Sequence, residues 1–140
     1  MAPSTKFLKK YKSSIEDDYS IVNEANHGVD SDIFFEIAEL SGISKNYLAE
    51  EIFDMSLKTM LRYRKENKKL NARDSEVALK IVSVMEKGLE VFGSMASFRV
   101  WMEKPAFGLG NKRPLAFMNT ITGMDLIEEE LLRIEYGALA

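Results

Sequence analysis

Between Asn71 and Gly93, the apolar residues Val77, Ile81, Met85 and Leu89 recur at a strict four-residue spacing. Side chains at i and i+4 share one face of an α-helix, so this stretch reads as a long amphipathic helix. Asn71 with Asp74 three residues on resembles a capping box at its start, and Gly93 ends it. The same grammar repeats on both sides. Asp30 or Ser31 can cap a helix carrying Ile33, Ile37 and Leu40, which Gly42 stops. Ser44 caps a helix with Leu48 and Ile52 facing inward, and Ser56 caps the next. Ser94 opens a helix with Phe98, Trp101 and Met102, stopped by Pro105. After the loop PAFGLGNKRP, Pro114 suits the first turn of a short helix with Leu115 and Met118. Thr122, with Asp125 at the right offset, is expected to cap a last helix carrying Ile127, Leu131 and Ile134. No strand pattern and no internal repeat is found, so the expected fold class is all-α. Residues 1–29 show weak periodicity and are expected to form an irregular, partly mobile arm. Residues 30–75 and 76–140 are expected to form two helical parts, with a seam near the long helix.

The composition is that of a folded chain, 46% hydrophobic and 29% charged. No cysteine is present, which removes disulfides, thiolate nucleophiles and cysteine-ligated zinc and suits a reducing cytosol. No apolar run approaches the length of a membrane span, and the basic start is followed by no apolar core of a secretory signal. The expected location is the cytoplasm. The net charge of −3 argues against a generic nucleic-acid binder, but its distribution is uneven. Lys58, Arg62, Arg64, Lys65, Lys68, Lys69 and Arg73 stand against Glu66. Toward the C-terminus, Asp125, Glu128, Glu129, Glu130 and Glu135 stand against Arg133. Opposite local charges suit two different partners, and equally two solvated helix faces.

Catalytic constellations are missing. His27, the single histidine, lies in the polar arm beside Gly28 without a recognisable partner. Glu128, Glu129 and Glu130 are consecutive, so on a helix they point in different directions and cannot converge on one cleft. Gly108 and Gly110 form no dinucleotide fingerprint and follow no strand. The expectation is a protein that is not an enzyme, with no metal and no cofactor.

Residues 44–65 have the shape of a helix-turn-helix: ISKNYLAEEIF, the turn DM, then SLKTMLRYRK. On a helical wheel Leu57, Met60 and Leu61 form an apolar stripe for docking, and Lys58, Thr59, Arg62, Tyr63 and Lys65 occupy the other side. Arg62 suits a guanine edge, Lys58 and Lys65 suit phosphates, and the amides after Ser56 suit a phosphate as well. The DNA-binding candidates are therefore Ser56, Lys58, Thr59, Arg62, Tyr63 and Lys65. Against this, any amphipathic surface helix can carry a basic outer face, and Glu50, Glu51 and Asp54 would repel phosphate if they faced DNA.

The C-terminal half carries Val91-Phe92-Gly93, Trp101 with Pro105, Leu109-Gly110, Pro114-Leu115 and the ending Arg133-Ile134-Glu135-Tyr136-Gly137. These pieces, in this order and spacing, resemble the Xre/MbcA/ParS-type antitoxins, partners of Res-type toxins. The upstream stretch MSLKTMLRYRKENKKLNARDSE resembles that family's Xre-like segment, and the likeness covers about residues 43–140. Asn111 departs from the pattern where a second glycine is common, and Arg113 where a small hydroxylated residue is common. The resemblance implies an Xre-like helix-turn-helix part and a C-terminal helical toxin-binding part. It implies a Res-type toxin partner that consumes NAD or transfers ADP-ribose, inhibition by occlusion of its active site, and repression of the antitoxin's own operon. By carry-over, Arg133, Glu135, Tyr136, Gly137 and Ala140 are the candidate inhibitory contacts; read without the family, the tail is a frayed terminus. Operator DNA is a further expected partner, and helix-turn-helix proteins that read paired half-sites suggest a homodimer. The alternative reading is a stand-alone transcriptional regulator whose C-terminal part only dimerises. An inhibitor that has lost DNA binding is another.

Overall fold

The computed structural model describes residues 3–137. Among them are eight α-helices joined by short 3-10 and π-helical turns, and no strand beyond isolated bridges at Asp30–Lys69 and Ala106–Lys112. The chain divides into two compact units, Met1–Val82 and Ser83–Ala140.

The first unit begins with α1 (Pro3–Tyr11), a 3-10 turn (Lys12–Ile15) and α2 (Asp18–His27). This corrects the expectation of an irregular arm over 1–29. Phe7, Leu8, Tyr11, Ile15, Ile21 and Ala25 are all buried there. They are spread over three short elements, so no single periodic run announces them. The reason they are needed lies in α3 (Asp32–Ser41). Ile33, Phe34, Phe35, Ile37 and Ala38 are all buried, a wider apolar surface than the single stripe Ile33, Ile37, Leu40. A helix apolar over so much of its circumference must be covered on more than one side, and α1 contacts it. Leu40 itself is half-buried. Phe34 meets the edges of Phe35 and Phe53 at ring-centre separations of 4.9 and 5.6 Å, a favoured aromatic geometry. Ser31 holds the N-cap position of α3 without a side-chain capping bond.

A tie across the unit joins its early and late segments. The Leu70 amide donates to the Val29 carbonyl at 2.8 Å, and the Ser31 amide to the Lys68 carbonyl at 3.3 Å. Ser75, fully buried in the first half of α6 (Ala72–Phe92), completes the tie. Its Oγ accepts from the Val29 amide at 3.0 Å and donates to the Leu70 carbonyl at 3.1 Å. Asn71 caps α6 as its spacing predicts, accepting from the Asp74 amide at 2.8 Å.

The second unit holds the rest of α6, then α7 (Met95–Met102), 3-10 turns at Phe107–Leu109 and Pro114–Phe117, and α8 (Ile121–Glu135). Met85, Phe98, Met102, Met118, Met124, Ile127 and Leu131 form its core. Trp101 is only half-buried and closes a ring cluster with Phe92 at 5.7 Å and Phe98 at 6.0 Å. Ile134 is also half-buried. The cap of α8 is Thr120, not Thr122: the Thr120 side chain accepts from the Gly123 amide at 2.9 Å. The buried Gly123 decides between them. A Cβ there would collide with the Phe117 carbonyl, so the bare backbone lets the helix start close against the preceding turn.

Ser75→Ala strands a buried amide and a buried carbonyl at once. It is expected to lower stability by about 1–3 kcal/mol, read as a lower midpoint in urea or thermal unfolding.

Candidate DNA-reading helix and toxin-facing helix end

The first site is built by α4 (Lys45–Tyr47), its π-helical continuation (Leu48–Ile52) and α5 (Leu57–Lys65). Ser44 caps the first helix through the Tyr47 amide at 3.2 Å. Asp54 makes the turn in a left-handed conformation, φ 53°, which aspartate tolerates better than most residues. Met60, fully buried, is the buried residue of α5 and sets the helix's rotation. With Met60 turned in, successive 100° steps place Lys58, Arg62 and Lys65 together on the outer face, and all are exposed. Leu61, one 100° step from Met60, flanks that face and is 47% exposed, so it does not dock as the wheel suggested.

Ser56 and Thr59 are joined at the start of α5. The Ser56 Oγ accepts from the Thr59 amide at 3.1 Å and donates to the Thr59 hydroxyl at 2.9 Å. The pair caps the helix, and Thr59 is half-buried. Tyr63 is also half-buried, its ring flanked by Lys68 at 4.4 Å and Arg62 at 5.6 Å. Both Thr59 and Tyr63 thus lie off the outer face on which sequence reasoning put them. Arg64 lies 4.5 Å over the Phe35 ring with its Nε 3.8 Å from Asp32, anchoring α5 to α3. The Asp54 carboxylate acts toward Asp74, whose pKa is pushed up by burial and then by Asp54.

The second site is the end of α8. Arg133 Nη2 meets the Glu130 carboxylate at 2.7 Å, and Lys87 Nζ donates to the Glu135 carboxylate at 2.7 Å. Arg133 and Glu135, two positions apart, point about 200° from one another around the helix, so the structure does not gather them into one patch. Tyr136 is 79% exposed, and Gly137 adopts φ 73°. Ala140 lies outside the described residues. The PAFGLGNKRP loop keeps a glycine-like path in spite of Asn111, which adopts φ 61° beside Gly110 at φ 67°. Asparagine tolerates this region, so the departure from glycine leaves the turn intact. Exposed Leu61, Phe107, Leu126 and Leu132 escape a sequence reading, because an apolar residue at helical spacing is indistinguishable from core until its neighbours are known.

Residues 21–83 match the model of the antitoxin Xre-like helix-turn-helix domain. Residues 87–137 match the antitoxin Xre/MbcA/ParS C-terminal toxin-binding domain. The chain belongs to the Xre/MbcA/ParS family of antitoxins. Its helix-turn-helix implies DNA binding, and its C-terminal domain implies a toxin partner. Neither domain family is an enzymatic one. No curated protein matches this antitoxin's sequence. Among the described residues, no group of acidic or histidine side chains could hold a metal, and no helix is long and apolar enough to cross a membrane.

The Lys87–Glu135 pair gives the last turn of α8 a defined pH window. The hydrogen bond from Lys87 holds Glu135 below its ordinary 4.5, so its contribution is present above that value and lost as pH falls through the lowered pKa. The bond to Glu135 raises Lys87 above its ordinary 10.5, so that contribution is present below it and lost as pH rises through the raised value. Corrected for intrinsic rates, amide exchange at residues 134–136 is expected to be slowest between these limits and to quicken on both sides. Lys87→Met is expected to abolish the acid-side change.

Proposed function

We propose that this antitoxin neutralises a Res-type toxin, an enzyme that consumes NAD or transfers ADP-ribose, by occluding its active site, and that it represses its own operon through α5. The observation that carries the reading is the joining, in one chain, of an antitoxin helix-turn-helix over 21–83 to a toxin-binding domain over 87–137. The toxin's identity comes from the resemblance in the C-terminal half. The occluding element is the end of α8 together with the tail beyond it: Arg133, Glu135, Tyr136, Gly137 and Ala140. Tyr136 is the anchor, because it is aromatic and exposed where the helix ends. The DNA contact is made by Lys58, Arg62 and Lys65, with Ser56 and Thr59 holding the helix start and Tyr63 bracing Arg62. A homodimer in the cytoplasm would present two α5 helices to paired half-sites.

Co-expression with the product of the neighbouring gene tests the first part. That product alone is expected to arrest growth, and this chain to restore it. Tyr136→Ala is expected to weaken the rescue while leaving folding unchanged. It is a cleaner probe than removing everything after Ile134, which also deletes the Glu135 partner of Lys87. Full rescue by Tyr136→Ala, and by a chain ending at Glu135, would rule out the tail beyond Glu135 as the plug.

For the second part, promoter binding is expected to fall steeply with salt. Arg62→Ala with Lys58→Ala is expected to cost about 1–3 kcal/mol at a base contact and to flatten the salt slope by roughly one unit per lost phosphate contact. Unchanged binding by this double variant would exclude α5 as the reader. A DNA-binding chain beside a harmless neighbour would favour the stand-alone regulator.

A further inference from the structure

The loop over 106–112 is a rigid mount for an exposed aromatic ring. The Ala106 amide donates to the Lys112 carbonyl, and the Leu109 and Asn111 amides donate to the Ala106 carbonyl, each at 3.0 Å. Ala106 and Leu109 are both buried. Between these two fixed points Phe107 stands 78% exposed. A ring held in water by a loop pinned on either side is an apolar projection that loses little freedom when a partner closes on it.

The next residue ties this projection to α8. Gly108 lies against the Glu130 carboxylate, and a Cβ at Gly108 would occupy the carboxylate's own space. Glu130 is fully buried, and its Oε2 has no hydrogen-bond partner. Its ion-pair partner is Arg133, one turn further along α8, with Nη2 at 2.7 Å. A buried carboxylate is costly unless it is paired and hydrogen-bonded, so Glu130 gains little for the fold by itself. What it does is hold one corner of a guanidinium that carries five N–H donors, on a side chain that remains 53% exposed. Phe107 thus precedes the glycine that lies on this carboxylate, and Arg133 is the carboxylate's ion-pair partner.

We propose that Phe107 adds a contact point for the toxin that extends the proposed inhibitory end of α8 through Arg133, with Glu130 as the residue that positions Arg133. The proposal rests on the toxin-binding reading above. The matching feature of the toxin is an apolar pocket beside a carboxylate. The toxin is the occupant because the whole patch lies inside the matched toxin-binding segment and continues, through Arg133, into the proposed inhibitory end. A two-fold contact between copies of this chain centred on so small a patch would bring two Arg133 guanidiniums together, a like-charge juxtaposition.

The test is the affinity of the full-length chain for its purified toxin, measured by titration calorimetry. Sedimentation of each variant and its binding to promoter DNA serve as controls. Phe107→Ala is expected to weaken binding at least about tenfold with the tail intact and promoter binding unchanged. Because the ring is exposed, its removal leaves the core untouched. Glu130→Gln is expected to weaken binding as Arg133→Ala does, with the double variant no weaker than Arg133→Ala alone; a merely structural Glu130 would give additive losses. Wild-type affinity in Phe107→Ala would overturn the proposal while leaving the toxin-binding reading in place. So would a Phe107→Ala variant whose only change is loss of self-association. If the unaltered chain fails to bind the toxin at all, both readings fall.

Discussion

The burial of Met60 decides what α5 offers to the outside. A short helix with one fully buried side chain has a single rotational setting, and in that setting Lys58, Arg62 and Lys65 point away from the core together. The surrounding contacts serve the same end. The Ser56–Thr59 pair starts the helix, and Arg64 lies over Phe35 and beside Asp32, so that this one cation is spent on docking. The Phe34, Phe35 and Phe53 cluster beneath it belongs to α3 and the helix-turn-helix. Without the cover that α1 and α2 give to this unit, apolar surface would face water. The N-terminal helices in this sense support the helix-turn-helix.

In the C-terminal unit the controlling feature is close approach of backbone to neighbouring groups. Gly123 lets α8 begin against the Phe117 carbonyl, and Gly108 lets the 106–112 loop settle on Glu130. The first lets α8 start close against the preceding turn, and the second sets Phe107 beside the glycine that lies on Glu130. Lys87 then holds the last turn through Glu135. The outcome is a helix end held by the Lys87–Glu135 pair, with Tyr136 after the helix and Phe107 on the loop left to solvent.

How much of this is legible in the chain depends on whether the signal is local. Caps at Ser44, Ser56, Asn71 and Ser94, and the stops at Gly42 and Gly93, are local hydrogen-bonding and backbone effects, and they place the helices from 30 onward. The all-α class and the helix-turn-helix derive from them. The N-terminal helices escape such a reading because their buried residues are divided among short elements and their meaning depends on the unusual breadth of the apolar surface on α3. Thr120 and Thr122 offer equivalent capping chemistry, and only the packing of Gly123 separates them. Leu61 and Met60 are adjacent on one stripe, yet one is exposed and the other buried; a wheel centred a few tens of degrees away reverses that assignment. Glu130 sits in a run of acidic residues that reads as a solvated face. Nothing in such a run marks the one member that is buried.

The central claim is that this chain silences an enzyme by direct contact. NAD turnover by the purified product of the neighbouring gene, titrated with this chain, tests it most directly. The account predicts that turnover falls in proportion to added chain and is extinguished at a fixed stoichiometry. Turnover that persists at a saturating excess of the folded chain would contradict it.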